Sequence, residues 1–70
     1  MTNEQKLKNE ETVRYFISNF GPEWIENLIL KIEDMKRRNL NMNYKENREL
    51  MENLEYQKRY AMNIAVINFM

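Results

Sequence analysis

The chain has 70 residues, with 11 Lys plus Arg against 11 Asp plus Glu, no Cys, no His, and one each of Gly and Pro. Without Cys or His there is no disulfide, no thiolate or imidazole zinc site and no nucleophile–His catalytic set. A single Gly cannot build a Gly-rich phosphate loop, and one Gly-Pro pair is too little turn chemistry for a β-fold.

A chain of this size buries only roughly 60% of its unfolded surface, so regular helix packing or oligomerisation must supply stability. Good helix formers dominate: Glu, Lys, Leu, Met and Arg. The expected fold is all-α, a compact three-helix domain over residues 1–70. Two shorter helices, 3–20 and 22–38, are joined by a tight Gly-Pro turn, and a longer helix, 44–68, follows.

Thr2 with Gln5 three residues on fits a capping box for the first helix. Glu4 and Lys8 form an i,i+4 pair in the favourable order. Val13, Phe16, Ile17 and Phe20 make its apolar stripe; Leu7 lies off it. The first eight residues are expected to be loosely held. Gly21 suits a positive-φ helix end, and Pro22 the first position of the next helix. Phe20 and Ile25 are spaced as a hydrophobic staple.

Trp24, Ile25, Leu28, Ile29, Ile32 and Met35 line one face of the second helix, with Leu30 pointing away. Glu23 and Glu26 at its start and Lys36, Arg37 and Arg38 at its end complement the helix dipole. Asn39, Asn41 and Asn43 alternate with Leu40 and Met42 in a turn-forming pattern. Asn43 with Glu46 caps the third helix.

The third helix carries a main stripe of Leu50, Met51, Leu54, Ala61 and Ala65. A second stripe is Tyr56, Tyr60 and Ile67. Residues 60–70 hold no charge, and a short strand over 61–70 is the alternative there. That run is well short of the roughly 20 residues needed to span a bilayer. No apolar run follows the N-terminus, so a cytoplasmic, non-membrane protein is expected.

Of the acidic groups, Glu10–Glu11, Glu33–Asp34 and the series Glu46, Glu49, Glu52, Glu55 could in principle do acid–base work. The last has spacing three and winds around the helix. All read better as solvated faces, so no enzyme activity, metal or cofactor is expected. Lys36, Arg37 and Arg38, with Lys58 and Arg59, are the only basic groupings that suit phosphate. Charge is balanced within 1–20, 21–43 and 44–70 alike, which disfavours nucleic acid.

What stays unassigned is apolar. The expected function is a non-catalytic protein-binding module, a small regulator or inhibitor that occludes a partner protein. Its candidate contact residues are Leu30, Tyr56, Tyr60 and Ile67. The Asn-, Lys- and Ile-rich style fits an AT-rich coding sequence, so a phage or mobile-element factor is a special case. The alternatives are a nucleic-acid-associated regulator using the basic residues, and an oligomeric assembly component. A homodimer through the third helix would suit the thin core.

Overall fold

Thr2 starts the first helix. Its hydroxyl accepts from the Gln5 N–H at 3.1 Å, and the Gln5 side-chain oxygen accepts from the Thr2 N–H at 3.0 Å. This reciprocal pair satisfies donors that a helix start leaves open, and it opens α1, Asn3–Phe20. The computed structural model describes residues 1–38 and 43–69, with the side chains of Asn68 and Phe69 outside the described set. The expected turn at 39–42, with Leu40 and Met42, lies outside the described residues, as does Met70.

Gly21 ends α1 with φ 59° and ψ −135°, a region that only glycine visits without strain. The Trp24 N–H then bonds the Gly21 carbonyl, closing a 3-10 turn, Gly21–Glu23. Pro22 therefore sits in that turn and not in a continuous helix from 22. Reversing the chain within three residues needs the tighter i→i+3 winding. The second helix proper, α2, is Trp24–Arg38. Phe20 stacks on Phe16 one turn back, centroids 5.0 Å apart. The Lys31 ammonium lies 5.2 Å from the Phe16 ring centroid, so α2 runs back along α1.

Asn43 opens the third helix, its side-chain oxygen accepting from the Glu46 N–H at 2.9 Å. This helix, α3, is Tyr44–Phe69, so the backbone from 61 to 69 is helical and not a strand. Its 26 residues span roughly 39 Å at the helical rise. That matches the 40 Å long axis of the molecule, so α3 sets the length of the bundle.

Six side chains form the core: Val13 and Phe16 from α1, Leu28 and Ile32 from α2, Leu54 and Ala61 from α3. Ile17, Trp24, Met35, Leu50, Tyr60 and Ile64 pack around them. α1 is the central helix, meeting α2 and α3 more extensively than those meet each other. α3 thus docks chiefly on α1 and does not lie evenly across the pair. The first eight residues are mostly exposed, Leu7 among them.

A Cβ added at Gly21 would meet nothing within 4 Å. Gly21→Ala is therefore expected to lose about 1–3 kcal/mol through backbone strain alone. Leu28→Ala, at a site with 0% exposure, is expected to lose about 2–5 kcal/mol. Urea unfolding followed by circular dichroism measures both.

Candidate interaction surface

The α1–α3 seam is built from polar side chains. Asn9 is 6% exposed and Gln57 is 8% exposed, and both face the seam. The Asn9 amide donates to Asn53 Oδ1 at 2.8 Å, and the Gln57 amide donates to Asn9 Oδ1 at 2.9 Å. The Asn53 amide is held by the Glu49 carbonyl one turn back, at 2.8 Å. Gln57 Oε1 and Asn47 Oδ1 are buried with no hydrogen-bond partner among the described residues.

Beside this cluster runs a second polar row. The Tyr56 hydroxyl donates to Glu10 Oε2 at 2.7 Å. Arg14 pairs with Glu10 Oε1 at 3.7 Å and donates to the Tyr60 hydroxyl at 3.3 Å. The Glu10 side chain is only 21% exposed, so its carboxylate is well placed to organise both neighbours. The bond to Glu10 pushes the Tyr56 hydroxyl above the ordinary tyrosine range, with burial and the Glu10 charge adding to it. The bond to Tyr60 likewise raises the Arg14 guanidinium above its usual value.

Residue numbers rise together along both helices: 9 meets 53 and 57, 10 meets 56, and 14 meets 60. α1 and α3 are therefore parallel, at an offset of about 46. At that offset Ile67 falls level with Gly21, where α1 has ended. This explains how the second stripe of α3 divides. Tyr56 and Tyr60 are half-buried against α1, whereas Ile67 is 71% exposed.

Of the four sequence-derived contact residues, Leu30 and Ile67 stand free on the surface and the two tyrosines belong to the seam. Leu30 is 67% exposed on α2, with Glu26 and Asp34 four residues either side of it. Near Ile67, Met62 and Val66 are also exposed, at 48% and 58%. The two patches lie on different helices, and no described contact joins them.

The basic residues are dispersed in use. Arg38 pairs with Asp34 at 2.9 Å, Arg37 is exposed and Lys36 half-buried. Lys58 and Arg59 line an open hollow on α3 that Glu55 shares. Asp34 neutralises Arg38 and Glu55 shares the Lys58–Arg59 hollow, so carboxylates interrupt both basic groupings that could serve phosphate binding. Among the described residues no group of three or more acidic side chains is placed to hold a metal ion, and no helix is long and apolar enough to cross a membrane.

The Asn9–Asn53–Gln57 cluster escapes a reading based on apolar periodicity. Its signal is positional: Asn9 lies four residues before Val13, and Gln57 lies between Leu54 and Ala61 on the main stripe. A polar side chain in an apolar stripe marks a buried hydrogen bond. No family model, curated protein or solved structure matches the chain.

A group whose folded pKa is raised adds stability below its unfolded pKa and loses it as pH rises through the folded value. Tyr56 is such a group, so stability is expected to fall above pH ~10. Near-ultraviolet titration should show a phenol that ionises above the ordinary tyrosine range. Tyr56→Phe should remove that late step and flatten the alkaline loss.

Proposed function

We propose that the chain is a non-catalytic protein-binding module, a small regulator or inhibitor that works by covering part of a partner protein. One observation carries this reading: large apolar side chains stand exposed where the fold makes no use of them. Leu30 projects from a charged helix face, Val66 and Ile67 stand exposed on the uncharged end of α3, and Met62 borders the hollow lined by Glu55, Lys58 and Arg59. Single exposed apolar residues are ordinary, but grouped ones mark contact sites. The α3 end is therefore the first surface to test. The AT-rich coding style supports a phage or mobile-element origin as a special case, acting in the cytoplasm of a host.

A homodimer is the second reading, favoured by the same α3 end. A patch without charge meets no like-charge repulsion from its own copy, and the zero net charge removes long-range opposition as well. The basic groups supply less support for a nucleic-acid role, since carboxylates accompany them.

Sedimentation of the purified chain separates the two readings. A monomer at high micromolar concentration leaves a different protein as the occupant. Affinity capture from native cells should then recover one protein near stoichiometrically. Ile67→Asp should weaken that capture at least about tenfold, a change of roughly 1.4 kcal/mol, with the helical melt unchanged. Capture that survives both Ile67→Asp and Leu30→Asp removes these surfaces from the reading. Retention on nucleic acid that falls with salt, and is lost in R37E/R38E, favours the nucleic-acid alternative.

A further inference from the structure

α3 carries a second row of residues at helix-docking spacing, away from the row that enters the core. Arg48, Glu52, Glu55, Arg59, Met62 and Val66 follow one another at steps of four, three, four, three and four. That spacing keeps them on one helix face, as the seam between two packed helices requires. All six are exposed. Arg48 and Glu52 pair with each other at 3.7 Å, whereas Glu55 and Arg59 form no ion pair among the described residues. Glu55, Arg59 and Met62 share, with Lys58 and Asn63, an open hollow of about 350 Å³.

The row is charged at its inner end and apolar at its outer end, and this order decides what can lie on it. A second copy fits badly. Laid antiparallel with Glu55 facing Arg59 of the copy, it sets Glu52 against Met62 and Arg48 against Val66, burying charge against apolar groups. Laid with Met62 facing Val66 of the copy, it leaves Arg59 against an uncharged stretch. Laid parallel and in register, it sets each charge against its like. A copy therefore satisfies the charges or the apolar pair, but not both. A helix of another protein satisfies both if its charges are reversed in sign. Antiparallel to α3, where the helix dipoles attract, it needs two apolar side chains four residues apart over Val66 and Met62. A carboxylate seven residues on from the first then meets Arg59, and a base eleven residues on meets Glu55.

We propose that this row is a docking site for an amphipathic helix of a partner protein, which covers Met62 and Val66 with an apolar pair and presents an acid to Arg59 and a base to Glu55. The proposal rests on the protein-binding reading above and specifies the chemistry of the partner. The apolar pair supplies contact, and the two charges reject helices of the wrong order.

Two synthetic peptides of about 20 residues, long enough to form a helix in solution, test this against the full chain. One carries Leu, Leu, Glu and Lys at those positions, and the other has the Glu and Lys exchanged. The first should saturate, shift the amide resonances of Arg59, Met62 and Val66, and bind at least about tenfold more tightly than the second. E55R/R59E, which keeps both charges on the exposed row, should reverse that preference. If E55R/R59E loses the native helical melt, E55Q/R59Q serves instead and should bind the two peptides equally.

Equal binding of both peptides by the native chain overturns the charge selection and leaves the protein-binding reading standing. Shifts confined to another face, or no saturation by either peptide, overturn the docking site itself. So does a preference that survives the paired substitution. A dimer in sedimentation that Val66→Asp disperses gives the row to a second copy and likewise overturns the proposal.

Discussion

Asn9 is the residue on which the arrangement of helices turns. Its side chain both donates and accepts across the α1–α3 seam, so it fixes distance, direction and register at once. α1 already has α2 tied to its far end by a three-residue turn. α3 is then held on α1 by the Asn9 bonds together with Leu54 and Ala61 in the core. The weaker α2–α3 contact follows from two separate dockings on α1.

The same logic explains how charge is used. The pairs Glu4–Lys8, Asp34–Arg38 and Arg48–Glu52 lie within single helices on half-exposed or exposed side chains. Such pairs contribute little to stability, and they connect no two helices. Glu10 is the exception, because α3 shields it and its carboxylate serves Tyr56 and Arg14 together. The thin core is therefore supplemented chiefly along the α1–α3 seam, by neutral amides and one sheltered carboxylate, with Lys31 over the Phe16 ring between α2 and α1. Most charges of this net-neutral chain lie on helix surfaces, and the contacts between helices pair Glu10, Arg14 and Lys31 with neutral groups rather than with opposite charges on another helix.

Much of the fold is legible in the sequence. The Thr2–Gln5 box, the Gly21 break, the Asn43 cap and the apolar stripes all follow from local rules. Their physics acts over three or four residues, which a sequence displays directly. The pairing of Asn9 with Gln57 spans 48 positions, and nothing local announces it. The abundance of Asn reads as a burden on helix formation, yet Asn9 and Asn53 join the α1–α3 seam and Asn43 caps α3. The second α3 stripe is likewise visible as a stripe. That its tyrosines meet α1 while Ile67 overshoots depends on the offset, a property of the assembled bundle. Leu30 was identifiable because its angular position on α2 is a local matter.

Trp24 is the only tryptophan, and it packs on the core immediately after the turn that joins α1 to α2. Two of the four tyrosines sit in the opposite seam. The α1–α2 hairpin and the α1–α3 seam thus each carry a natural chromophore. Indole emission reports the hairpin, and phenol absorption reports the docking of α3. The molecule is optically equipped to reveal whether its two junctions come apart as one event or in sequence.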